Sequence, residues 1–212
     1  MEEGLHQRAW VRLPSGKHLD LLHPSAQDWD HEDLALGLAR TYRWGGHSAW
    51  QHPLSVAQHS LTVMHLRRLD PEQPLQDRGA LLRELLHDAE EGLLGFDPLS
   101  VLKPYLGPAF KALTDRLTEA VARRYDLPDW DELGYRLHKR ADRLAAASEA
   151  VHVAGWPAHE ARDILRIAAE ALDEDVLQPI YGGPAWQPWP AELAYERFLQ
   201  QLMQLLPPAP QG

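Results

Sequence analysis

The sequence of 212 residues contains no cysteine. That removes disulfide frameworks, zinc ribbons and thiol nucleophiles, and leaves His and the carboxylates as the side chains able to hold a metal. An excess of positive charge is missing too: 21 Lys and Arg stand against 31 Asp and Glu, a formal net charge of -10. A surface of that sign repels phosphate backbones, so no nucleic-acid polymer is expected as a partner, whereas a small anion in a local basic pocket stays compatible. No run of ~18 apolar residues occurs, so no membrane span is expected. The opening MEEGLHQRAW has no basic segment leading into an apolar one, so no secretory leader is expected and the cytoplasm is the expected location. Internal repeats and low-complexity tracts are absent as well. What remains, 44% hydrophobic and 25% charged, suits one domain with a substantial core.

The period of the apolar residues is helical over most of the chain. Before that, AWVRLPSGKHLDLL places Pro14-Ser15-Gly16 between two alternating runs, a hairpin signal. Helices are expected at 31–40, capped by Asp30 with Asp33 three residues on, and from near Pro53 through LSVAQHSLTVMHLRRL. Further helices are expected at 78–94, 109–125, 131–153, 158–172 and 190–205. TYRWGGHSAWQHP (41–53), GFDPLSVLKPYLGP (95–108) and QPIYGGPAWQPWP (178–190) read as loops, the second with one short turn. The expectation is an all-α, single domain over 1–206, its core at 28–155, with six or seven helices, a small N-terminal β-hairpin and a flexible tail at 207–212. The Trp-rich WQPWP segment is a candidate contact for a homodimer, or else is packed at home.

Three helices carry residues suited to metal chemistry. In LLHDAEE, His87 and Asp88 directly follow an apolar stripe of leucines, and a buried carboxylate is costly unless paired or bound to a cation. His59 sits among Val56, Leu61 and Val63, and His138 and Asp142 lie four apart on one helix face. The small residues after Asp142 (RLAAA) suit close helix packing. Each alone has a plain explanation as a salt bridge or a hydrogen-bonded core histidine. Together they offer a mixed N/O donor set, suited to Mn2+, Fe2+, Co2+, Ni2+ or Zn2+.

The ordered segments SGKHLDLLHP, DLALGLARTYRWGGH, PLSVAQHSLTV, LLHDAEEGLLG and KRADRLAAASEA, over residues 12–150, resemble the HD-domain metal-dependent phosphohydrolases. Within that superfamily they are similar to the short bacterial 5′-deoxynucleotidases and related dNTP phosphohydrolases. The resemblance implies a compact helical HD-domain fold with His59, His87, Asp88 and Asp142 as ligands of one divalent transition metal, and Mg2+ as an option with a triphosphate substrate. On it, His87 and Asp88 reach one metal from a single turn of a central helix, and His138 faces outward or stands behind the ligands. It also implies a catalytic carboxylate at Glu91, four residues after His87, and a nucleotide pocket lined by Arg43 and Trp44. Asp97 and Lys103 keep the family's mutual spacing, but Phe96 stands as an extra residue between Gly95 and Asp97. His47 and His52 are candidate phosphate contacts near the Arg-Trp loop.

The implied activity is hydrolysis of deoxynucleoside 5′-monophosphates to nucleoside and phosphate, with broad base tolerance. The alternatives are release of triphosphate from dNTPs and a non-catalytic nucleotide-binding module stapled by a metal. A cyclic-dinucleotide or alarmone hydrolase fits less well, because neither a second histidine pair nor a Gly-Tyr-Pro motif is present.

Overall fold

A Pro-Ser-Gly turn with Gly16 at φ 91° folds the start of the chain back on itself. In the computed structural model, which describes residues 9–207, this makes an antiparallel hairpin of β1 (Trp10–Arg12) and β2 (His18–Asp20). The first eight residues, and the expected tail from 208 onward, lie outside the described residues. Asp33 ties the hairpin to the first helix: one carboxylate oxygen accepts from Ser15 N and the other from Asp30 N, both at 2.9 Å. That closes the cap expected at α1 (His31–Arg40).

The helices that follow are α2 (Val56–Arg68), α3 (Arg78–Leu85), α4 (Ala89–Leu94), α5 (Gly107–Tyr125), α6 (Glu132–His152), α7 (Ala158–Asp163), α8 (Gln178–Tyr181) and α9 (Ala191–Leu205). Nine α-helices among the described residues replace the six or seven expected. One reason is that 78–94 is two helices. Another is that Gln178–Tyr181 forms a single turn inside an expected loop. The helix expected over 158–172 stops at Asp163. Nothing between 162 and 170 is buried and Arg166 adopts φ 60°, so helical propensity there has no packing to support it. Nor does α2 start at Pro53: the Ser55 hydroxyl accepts from Gln58 N at 3.2 Å and caps it two residues later.

The helix enclosed on all sides is α2, buried continuously from Val56 to His65. Leu61 and Met64 join Trp29, Leu34, Leu38, Leu85, Leu117 and Phe198 in the main core. On another face Val63 meets Ala141 and Ala145 of α6, the close approach that the run of alanines suggests. Helices α1 and α4 approach backbone to backbone through Gly37 and Gly92. A Cβ on Gly37 would collide with the Gly92 carbonyl, and one on Gly92 would lie 2.6 Å from Leu38 Cγ and 2.8 Å from Leu38 N. Gly92→Ala should therefore cost about 3 kcal/mol or more by forcing two helices apart, read as a lower urea midpoint with an unchanged slope.

His65 is buried on the same helix as His59, and its Nε2 has no hydrogen-bond partner among the described residues. Burial, aided by the nearby Arg68 charge, pushes its pKa down to about 4. The unfolded chain then takes a proton below ~6.5 that the folded chain refuses until pH falls to 4. Stability is accordingly lost as pH falls through that window. Relative to His65→Leu, the wild type should lose about 2 to 3 kcal/mol between pH 7 and pH 4.5 in urea titrations.

No helix among the described residues is long and apolar enough to cross a membrane. Both tryptophans of the WQPWP segment are packed within the chain. Trp186 stacks on His152 at 5.1 Å, Trp189 is buried beneath Arg197, and Asp175 and Gln58 hold the loop by accepting from Trp186 N and Trp189 N.

Candidate metal centre

Residues 86–88 interrupt what the sequence suggests is one helix. Leu86 (φ -103°, ψ 17°) ends α3 and Asp88 (φ -115°, ψ 26°) precedes α4. In a continuous helix adjacent side chains diverge by about 100°. The break lets His87 and Asp88 converge, with His87 Nε2 3.1 Å from Asp88 Oδ2. The two residues thus share one point because the helix stops between them, correcting the expected single turn of a central helix.

His59, fully buried on α2, brings its Nε2 to 3.3 Å from His87 Nε2 and to 3.6 Å from both Asp88 Oδ2 and Asp142 Oδ1. Donor atoms of His59, His87 and Asp142 all lie within 4.8 Å of one another, so the group could hold a metal ion. Ligands ~2.1 Å from one cation are ~3.0–3.4 Å apart, close to these separations. Both imidazoles are held in orientations that suit ligation. His87 Nδ1 donates to the Glu84 carbonyl at 2.8 Å and His59 Nδ1 to Glu149 Oε1 at 2.6 Å. Those acceptors assign a proton to each Nδ1 and leave each Nε2 as the atom that a cation would take over from a proton.

Charge around this point is lopsided. Asp88, Glu90, Glu91, Asp97, Asp142 and Glu149 meet Arg43, Lys103 and Lys139. Burial works against protonation of His87, but Asp88 outweighs it and the pKa is pushed up to about 9. For His59, burial and Arg43 oppose a proton, while Glu149 and Asp142 raise the pKa overall. Burial opposes the Asp142 charge, yet its hydrogen bond to His59 holds the pKa below the usual carboxylate range. A divalent cation would thus displace protons from two imidazoles, and its affinity should rise with pH.

Glu91 stands on α4 beside this cluster, with only 3% of its surface exposed. Its Oε1 lies 3.4 Å from Lys103 Nζ, and its Oε2 has no partner among the described residues. Burial, then Asp88 and Asp97, push its carboxyl up to about 10, and burial with Asp88 pushes Glu90 up to about 7. The extra Phe96 is absorbed: Gly95 caps α4 at φ 70°, Phe96 points outward against Phe110, and Asp97 returns to within 3.7 Å of Arg43 Nη1. Arg43 also lies 3.9 Å from Asp88. Trp44 packs beside Leu54, Val153 and Trp186, and its Nε1 donates to Glu149 Oε2 at 3.3 Å.

Of the candidates in the sequence, the structure gathers His59, His87, Asp88, Asp142, Glu91, Arg43, Trp44, Asp97 and Lys103. It leaves His47 exposed, its backbone N–H bonded to the Trp44 carbonyl. His138 does not face outward: it is buried behind His87, ring centroids 5.0 Å apart, with Nδ1 on Glu84 Oε2 at 2.7 Å. Sequence reasoning missed Glu84 and Glu149. The signal for Glu149 was its spacing, seven residues after Asp142 and hence two turns along the same face.

No family model matches the chain. Over 157 residues it is 41% identical to an uncharacterized protein of Rhodobacter capsulatus, covering 73% of this chain and 78% of that protein.

Proposed function

The chain belongs to the family of the Rhodobacter capsulatus protein, and for it we propose the activity of an HD-domain, metal-dependent phosphohydrolase acting on deoxynucleoside 5′-monophosphates. One observation carries the reading: from three separate parts of the chain, two imidazole Nε2 atoms 3.3 Å apart meet Asp88 and Asp142 at 3.1 to 3.6 Å. The donor set fits a transition dication, which His59, His87, Asp88 and Asp142 would hold. When bound, such a cation polarises a phosphoryl oxygen and acidifies a water.

The chain's own groups do the rest. Arg43 and Lys103 place positive charge where phosphoryl charge develops in the transition state. Asp97 holds the Arg43 fork toward the cluster. Glu91 is a proton-transferring carboxyl, enclosed and, among the described residues, without a partner at Oε2. The Trp44 indole offers a flat wall to sugar or base.

A release screen tests this. Cation-stripped protein is loaded with Mn2+, Co2+, Zn2+ or Mg2+ and given each deoxy- and ribonucleoside mono- and triphosphate. Phosphate release from the monophosphates is expected. Triphosphate release would move the substrate class to dNTPs, and no release with any cation would overturn the enzyme reading in favour of a binding module.

A further inference from the structure

Glu149, in the last turn of α6, touches both halves of the site. Its Oε1 is 2.6 Å from Nδ1 of His59, and its Oε2 is 2.8 Å from Arg43 Nε and 3.3 Å from Trp44 Nε1. It is buried, with only 2% of its surface exposed. The turn it grips is strained: Trp44 sits at φ 59° and ψ 25°, a left-handed conformation that costs a non-glycine residue ~1–2 kcal/mol. The Trp44 side chain is fixed by that indole hydrogen bond and by packing against Leu54, Val153 and Trp186. The backbone is fixed where Arg43 N donates to the Leu54 carbonyl at 2.9 Å.

We propose that Glu149 is a positioning residue that couples cation binding through His59 to the conformation of the Arg43–Trp44 turn. The role of that turn rests on the phosphohydrolase reading; the coupling to the cation does not. Relative to a neutral ring, a cation on His59 Nε2 draws electron density and strengthens the Nδ1 hydrogen bond to Oε1. The same carboxylate, held more firmly, holds Arg43 and Trp44 through Oε2. By linkage, a turn fixed in place by Glu149 tightens the cation site in return. A glutamine cannot serve both ends. Its one carbonyl oxygen accepts from His59 or from the Arg43–Trp44 pair, and its amide then points donors at the other.

The test uses the full chain, stripped of cations, with Zn2+ or Mn2+ as the probe and no nucleotide present. Cation affinity is measured by chelator competition for wild type, Glu149→Gln, Trp44→Phe and the double variant, with circular dichroism to confirm folding. Glu149→Gln should weaken the cation by about 10- to 100-fold, the usual cost of losing a ligand's outer partner. Trp44→Phe, which touches no ligand, should weaken it about 3-fold or more with Glu149 present and leave it unchanged in the Gln background. If the Gln variants do not fold, Trp44→Phe alone decides: weakened binding supports the coupling, unchanged binding overturns it. The proposal also falls if Glu149→Gln binds within about twofold of wild type, or if Trp44→Phe acts equally in both backgrounds. A failed nucleotide screen would leave these affinities untouched, so the two readings fail separately.

Discussion

Glu91→Gln is expected to stabilise the cation-stripped protein while abolishing turnover. The Glu91 carboxyl is enclosed, with Asp88 and Asp97 nearby, and its pKa is pushed up to about 10. In the unfolded chain the same group ionises near 4.5. Above pH 4.5 the unfolded state therefore sheds a proton that the folded state keeps, and stability falls as pH rises toward 10. At pH 7 that cost is about 3 kcal/mol. Glutamine keeps the shape and an acceptor oxygen for Lys103, and it carries no proton to lose. The variant should melt about 5 °C or more above wild type at pH 7, and the gain should vanish toward pH 4.5. Turnover should fall to background, because an amide neither takes nor returns a proton. A stability loss at pH 7, or retained turnover, would contradict the role assigned to Glu91. A residue that costs stability where it stands is the pattern of a site kept for chemistry.

Removing His87 should have a still larger effect on cation binding. Its Nε2 faces His59 Nε2 and Asp88 Oδ2, so His87→Ala takes away a donor at the centre of the cluster. Wild-type protein at a cation concentration of about 100 times Kd should gain about 2.7 kcal/mol of stability over the stripped form. His87→Ala should show no such gain in thermal melts with Zn2+, Mn2+ or Co2+. Its cation affinity and turnover should fall more than about a hundredfold, beyond the 10- to 100-fold typical of an outer partner. The stripped variant also loses a side chain that is nearly fully buried and a partner for Asp88. Affinity and turnover are therefore compared at a temperature where circular dichroism shows it folded, and each thermal shift is taken against the same variant stripped of cation. A thermal shift equal to wild type would place the cation elsewhere.

The residues of the cluster were legible because His and Asp are conspicuous beside apolar runs, and the helices carrying them have a clear period. The break at 86–88 was not. Neither glycine nor proline marks it, and only tertiary packing, with Gly37 against Gly92 locking α4 to α1, sets the second helix off from the first. Glu149 was marked only by its spacing, seven residues after Asp142 on one helix face; its partners His59, Arg43 and Trp44 lie about 90 or more residues away in the chain and meet it only in the fold. The place of Asp97 depended on a loop whose extra residue could have shifted it. Outward bulging of Phe96 resolves that in three dimensions, where spacing alone could not. The end of α7 shows the converse, a helical pattern in sequence that the fold leaves uncovered and unwound after Asp163.

Both the metal chemistry and the coupling through Glu149 require His59, His87, Asp88 and Asp142 to converge on one divalent cation. Crystals grown with Mn2+, Co2+ or Zn2+, and measured at that ion's absorption edge, show whether they do. One strong anomalous peak is expected, about 2.0–2.3 Å from the Nε2 atoms of both histidines and from a carboxylate oxygen of each aspartate. Well-ordered imidazoles with no peak between them, or a peak bound by other side chains, would contradict it.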